Sequence, residues 1–447
     1  MTIRELRAQL DRGEVSSREL VEAALARIAD PAGEGALAFT EVYAAAARSA
    51  ADVADLQRRA GYVASPLAGL PVSLKDLFDV AGRPTRAASV VLADAPPAAR
   101  DAAVVARLRR AGAILIGKTN MTEFAYSGLG INPHFGTPRS PYDRETGRVA
   151  GGSSSGAAVS VAEDMAVVGI GTDTGGSTRI PAAFCGLAGF KPTARRVPIA
   201  GAYPLSFSLD SVGPMARSVA CCATVDAILA GEEPAEFVAA PLHGLRLLAP
   251  VNYVRAELDA AVAAAFAGAL DALRAAGATV DEGPLPVLDR IPALQVHGGL
   301  AGAEAHWWHR AQLEAHGDRY DPQIARRLRR GGAIAAWDYI DLLRGRQAAV
   351  AAFAVESEGY DALLWPTVAV VPPPIAPLIA DGELYGRVNV LVLRNTSIVN
   401  VVDGCALSVP ARAPGGAPAG VMLVGRGGED ARILRIGAAL ERLLAAG

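Results

Sequence analysis

Lysine is almost missing from this 447-residue chain. Of 43 Lys+Arg residues only Lys75, Lys118 and Lys191 are lysine. A coding bias toward arginine accounts for most of this. A lysine that survives such a bias marks a place where arginine cannot serve, because arginine stays charged whereas a buried lysine can lose its proton. Cysteine is scarce too. Cys185, Cys221, Cys222 and Cys405 are too few for a disulfide framework, and no C-x-x-C spacing offers a structural zinc site. Long apolar runs are also lacking. The longest uncharged stretch, residues 362–380, holds five prolines, which excludes a regular spanning helix. Neither charge sign dominates. The formal net charge of −3 argues against a phosphate-backbone partner, which needs a basic face.

Hydrophobic residues make up 51% of the chain and charged residues 20%, so a core of real size can be buried. The start is charged and has no apolar signal segment, so a cytoplasmic protein is expected, with no membrane and no nucleic acid among its partners. Residues 1–60 read as a helical arm. Thr2 with Glu5, and Ser16 with Glu19, each fit a capping box. From residue 67 the pattern changes. Residues 72–75 form a short strand, 101–111 a helix ended by Gly112, and 113–116 a buried strand. The same helix–Gly–strand order recurs at 258–280, and further strands are expected at 165–170, 244–249, 362–365 and 420–423. Alternating helices and short apolar strands predict an α/β fold, one large sheet covered on both faces. No linker composition is visible, so residues 1–447 are taken as one domain: the arm, residues 61–230 with the chemical motifs, and residues 231–447 completing the sheet and the specificity region.

Three motifs match known patterns without the context those patterns need. Gly112–Thr119 matches the P-loop pattern, but the interval between the glycines is itself the strand. Gly152–Gly156 matches the nucleophile elbow of α/β-hydrolases, with Ser154 as the nucleophile of an esterase. Residues 144–150 before it are polar and loop-like where a strand is required. His306 and His309 share a helix face, yet no second ligand pair accompanies them, and no metal or cofactor is expected.

The strongest signal is the Gly/Ser stretch 149–162 followed by residues 171–192. Pro181 fits only in a first helical turn, so a helix begins close to Ser177. Serine there lies beside unsatisfied backbone N–H groups, and Gly175 and Gly176 let the chain turn its amides outward. Two readings stay open: an oxyanion hole beside a hydroxyl nucleophile, or a tight turn that caps a helix.

The stretches Gly151–Gly156, Thr172–Arg179 and Pro71–Asp76 resemble, in order, the serine-rich motifs and the lysine motif of the amidase signature family. Residues 111–125, 189–193, 209–214 and 405–410 add supporting matches. The resemblance spans nearly the whole chain and is weakest from 230 to 360. It implies a mixed sheet flanked by helices and an amidohydrolase with a Ser–cis-Ser–Lys triad. Carried over by position, Ser177 is the nucleophile, Ser153 the serine after a cis peptide, and Lys75 the base. The N–H groups of Thr174, Gly175, Gly176 and Ser177 form the oxyanion hole. Asp76, Ser154, Asp173 and Arg179 orient the triad, and Tyr126 and Ser127 line the acyl pocket. Ser155 departs from the family, which usually has glycine there. The implied substrate is a small amide, aryl amide or carbamate. A homodimer, an amidase component of a partner-dependent amidotransferase, and an α/β-hydrolase-like esterase that uses Ser154 stay as alternatives.

Overall fold

The computed structural model describes residues 1–413 and 416–446. Eleven strands form one open mixed sheet: β1 (Phe39–Val42), β2 (Pro71–Lys75), β3 (Ile114–Thr119), β4 (Val168–Asp173), β5 (Ala188–Lys191), β6 (Ser211–Ala216), β7 (Arg246–Pro250), β8 (Thr279–Gly283), β9 (Ala362–Pro366), β10 (Cys405–Arg412) and β11 (Pro418–Gly425). Their spatial order is β1-β3-β2-β4-β6-β5-β10-β11-β9-β7-β8. The pairs β2–β3, β2–β4, β7–β8 and β7–β9 are parallel, and the other neighbours run antiparallel. Helices pack on both faces, as the alternation predicts.

The expected helical arm needs one correction. Helices do form at Ile3–Arg12 and Ser17–Ala29, and both capping boxes close. Between Ala38 and Ala44, however, the chain crosses the sheet edge as β1 and pairs with β3. The Ala-rich composition hid a four-residue strand that only its partner stabilises. Strands β5, β6 and β10 were equally unannounced, because Gly and Pro interrupt their apolar pattern.

Strand periodicity places the chemistry. On β2, Val72 and Leu74 join the main core, while Ser73 and Lys75 point to the opposite face. That face meets the helix Ser155–Ala162, where Ser73 Oγ lies 2.8 Å from Ser160 Oγ. The approach is close because the helix is lined with small residues. A Cβ on Gly169 of the adjacent strand β4 would stand 2.6 Å from the Ala157 carbonyl oxygen of this helix. Lys75, on the same face of β2, is fully buried.

Candidate active site

All three lysines are buried, at 0% to 1% exposure. Their surroundings separate them. Lys118 Nζ donates to the Pro84 carbonyl at 2.7 Å and stands 3.6 Å from Asp76. Lys191 Nζ donates to the carbonyls of Pro192 and Gly404 at 2.8 and 2.7 Å. Only Lys75 is held entirely by hydroxyls: Ser153 Oγ at 2.7 Å and Thr172 Oγ1 at 2.8 Å. Burial lowers its pKa to about 7, against the opposing pull of Asp210 and Asp173. The carboxylates that oppose the drop are therefore not the neighbouring Asp76. That side chain faces Lys118 and accepts the Ala88 N–H at 3.2 Å. Burial raises Asp76 to about 6.

Ser153 follows a cis peptide bond with Gly152. Its carbonyl accepts the Thr122 N–H, and the Gly152 N–H donates to the Gly128 carbonyl, so both sides of this link are tied to the loop 122–128. Ser154 Oγ is fully buried and donates only to the Thr172 carbonyl at 3.4 Å. It does not line the pocket described below, so the elbow reading of Ser154 loses its support. Ser155 opens the next helix, and its buried Oγ has no hydrogen-bond partner.

After β4 the chain turns through residues 174–178 into the helix Arg179–Cys185. Asp173 organises this turn. Its carboxylate accepts Gly176 N–H at 2.8 Å, Thr178 N–H at 3.2 Å and Thr178 Oγ–H at 2.9 Å. Arg179, fully buried, donates to it from Nε and Nη2 at 3.0 and 2.8 Å. Burial alone would raise the Asp173 pKa, but the Arg179 guanidinium, the Lys191 charge and the Asn400 hydrogen bond together outweigh burial and hold it below the usual carboxylate range. One expectation changes here. The Gly176 amide is already committed to Asp173, so it is no longer free for an oxyanion. The N–H groups of Thr174, Gly175 and Ser177 have no acceptor among the described residues. Gly176 adopts φ +132°, and a Cβ there would lie 2.1 Å from Thr396 Oγ1, so only glycine fits.

The sequence did not reveal several residues that hold this arrangement. Thr172 shares Lys75. Asp210 accepts Thr174 Oγ–H at 2.5 Å and the amides of Leu205 and Ser206. From the helix Gly382–Val401, Thr396 Oγ1 donates to the Gly175 carbonyl at 2.6 Å and Asn400 Nδ2 to the Asp173 carbonyl at 3.0 Å.

Ser177 borders a pocket of about 1090 Å³, together with Tyr126, Ser127, Thr174 and Gly175. Its Oγ has no hydrogen-bond partner among the described residues, and Ser153 Oγ is bonded only to Lys75. Tyr126 carries Arg327 over its ring at 4.5 Å. Ser127 Oγ donates to Asn389 Oδ1 and accepts from the Tyr385 hydroxyl at 2.7 Å. The candidate metal pair is used otherwise: His306 Nδ1 meets the Leu328 carbonyl and His309 Nδ1 the Tyr320 hydroxyl, each at 3.0 Å. No helix among the described residues is long and apolar enough to cross a membrane.

An open mixed sheet flanked by helices, with a lysine buried under a Gly/Ser turn and a serine bordering a pocket, is the architecture of an α/β enzyme. The comparisons give its family. The Amidase family model matches residues 19–434, and the chain belongs to that family of C–N hydrolases. It is 38% identical to the 2-amino-5-chloromuconic acid deaminase of Comamonas testosteroni over 408 residues, covering 90% of this chain and 87% of that one. It is 36% identical to a glutamyl-tRNA(Gln) amidotransferase subunit from Roseiflexus sp. (strain RS-1), covering 99% of this chain and 96% of that one. A crystal structure of an amidase superposes with TM-score 0.89 at 35% identity, covering 99% of this chain and all of that one.

Proposed function

We propose that this chain hydrolyses a small amide or carbamate through an acyl-enzyme on Ser177, with Ser153 and Lys75 as the proton relay. The observation that carries this reading is Lys75: a fully buried ammonium-bearing side chain, held only by hydroxyls, with its pKa lowered by burial to about 7. A group of that kind is neutral for half the population at neutral pH and can accept a proton. Neutral Lys75 takes the Ser153 hydroxyl proton as Ser153 takes that of Ser177. Ser177 Oγ attacks the acyl carbon. The free amides of Thr174, Gly175 and Ser177 receive the negative charge that develops on the carbonyl oxygen. The proton returns through Ser153 to the departing amine, and water then releases the acid and restores Ser177. Ser153 and Ser177 are not hydrogen-bonded in the free chain. Such contacts commonly tighten only once substrate is bound.

The relatives named as amidotransferase subunits favour one second reading, in which turnover needs a partner protein. The purified chain separates the two. A fluorophosphonate is expected to modify Ser177 alone, as located by peptide mapping, and a panel of primary amides, anilides and carbamates is expected to be turned over without any added protein. Label on Ser154 would contradict the mechanism. Label on Ser177 with turnover only after a partner is added would establish the second reading.

A further inference from the structure

The pocket beside Ser177 contains a buried guanidinium whose two terminal nitrogens have no hydrogen-bond acceptor among the described residues. Arg394, on the helix Gly382–Val401, is 8% exposed. Its Nε donates to Asn395 Oδ1 at 3.0 Å, but Nη1 and Nη2 are buried without a hydrogen-bond partner among the described residues. The nearest carboxylate, Glu257, stands 3.8 Å from Nη1, beyond hydrogen-bond reach, on a side chain that is 81% exposed. The Tyr253 ring lies at 6.0 Å, the limit of a useful cation–π contact. Arg179 provides the contrast. It is fully buried, and both its Nη atoms are engaged, by Asp173, Asn400 and the Thr396 carbonyl. A guanidinium fork left without acceptors in a protein interior is costly, and a ligand anion would offset that cost.

A second donor on the same helix is also unpaired. Asn389 Oδ1 accepts the Gly128 N–H and the Ser127 hydroxyl, each at 2.8 Å, which fixes the orientation of its amide. Its Nδ2 is buried with no acceptor among the described residues. Asn389, Arg394 and Ser177 all line the one pocket. The helix that carries the two donors also touches the Ser177 turn, through Thr396 and the Gly175 carbonyl. Six arginines border this pocket against two glutamates, Glu257 and Glu383, so its field favours an anion.

We propose that the substrate's acyl portion ends in a carboxylate received by Nη1 and Nη2 of Arg394, so that the preferred substrates are half-amides of dicarboxylic acids. The proposal rests on Ser177 as the acyl acceptor. One guanidinium fork with two free donor groups matches the two oxygens of a carboxylate and leaves the third oxygen of a phosphate unmet. The reaction is the ordinary hydrolysis: water adds across the C–N bond, the acyl carbon keeps the oxygen, and the amine departs with the protons.

The test is a comparison of kcat/KM within matched pairs: succinic, glutaric and adipic monoamides against butanamide, pentanamide and hexanamide, where methyl replaces the carboxylate. For at least one chain length the half-amide is expected to win by about 10- to 100-fold, the worth of a charge-assisted hydrogen-bonded pair. In Arg394→Met that ratio is expected to collapse toward unity. Arg394→Lys, which keeps the charge but loses the fork, is expected to fall between, and it carries the test if the methionine variant does not fold. Equal or better turnover of every neutral amide by the unmodified chain overturns the proposal, and so does a preference that survives both substitutions. Should none of the six amides be hydrolysed, succinate, glutarate and adipate are used to slow fluorophosphonate labelling of Ser177. Protection that is lost on substituting Arg394 supports the proposal. Labelling that no dicarboxylate slows overturns it and leaves the acyl-enzyme reading standing. Absence of labelling overturns the acyl-enzyme reading itself.

Discussion

Ser177→Ala is expected to lower kcat/KM by on the order of 10⁴-fold or more, because it removes the hydroxyl that the proposed reaction acylates. Lys75→Arg is expected to cost on the order of 10²–10⁴-fold, the usual worth of a general base, since a guanidinium keeps its proton in the working pH range. The other two lysines supply the control. Lys118 and Lys191 are as buried as Lys75, but their ammonium groups bind carbonyls. Arginine in those sites overfills them, and each substitution is expected to lower stability by about 1–3 kcal/mol. The folded fraction is expected to keep kcat/KM within a few-fold. Comparable losses of kcat/KM at all three positions, measured on folded protein, would remove the special role of Lys75.

The second large effect concerns the ion pair beneath the Ser177 turn. Arg179→Ala leaves Asp173 buried and unpaired, which is expected to destabilise the chain by about 3–5 kcal/mol at neutral pH. The loss should depend on pH in a definite sense. In the intact chain Asp173 is held below its unfolded pKa of about 3.9, so its contribution is fully present above that value and fades as pH falls through the folded value. In the variant, burial without the guanidinium raises the same carboxyl, and protonation then relieves the unpaired charge. The gap between the two proteins should therefore narrow as pH falls. Urea midpoints at neutral pH and in mild acid measure it. A gap that is constant across that range would mean that Arg179 acts through packing alone.

Much of the candidate site could be read from the chain because its sequence pattern is local. Gly175, Gly176 and Pro181 dictate a turn followed by a helix, and a serine placed there faces unpaired amides whatever lies elsewhere. Lysine scarcity drew attention to Lys75, and the structure buries it on the face of β2 opposite Val72 and Leu74. The residues that went unseen act across long stretches of sequence. Asp210 reaches Thr174 from a loop before β6, and Thr396 and Asn400 hold the turn from a helix more than 200 positions away. No periodicity or spacing carries that information. Arg394 was hidden for the same reason: it stands in a run of apolar residues, and only the fold shows that its fork is left without partners. The sheet was legible where strands are continuous and apolar. It was not legible at β1, where Phe39-Thr-Glu-Val42 follows an Ala-containing helical turn and gains its strand character from pairing with β3.

The central claim is that a neutral Lys75 activates Ser177, and the rate of fluorophosphonate modification of Ser177 as a function of pH tests it without knowledge of the substrate. The base works only when deprotonated, so the rate should be low in mild acid, rise with pH to half its plateau at about 7, and level off in mild alkali. In Lys75→Met the label should enter far more slowly, and the rise should be gone. A histidine base would produce a rise centred near about 6.5 in a free side chain, so position alone does not decide the matter. The variants do. Loss of the rise in Lys75→Met, with its retention in His297→Asn, is the predicted result. A rise that persists in Lys75→Met and vanishes when His297, His306 or His309 is replaced would contradict the Ser177–Ser153–Lys75 relay.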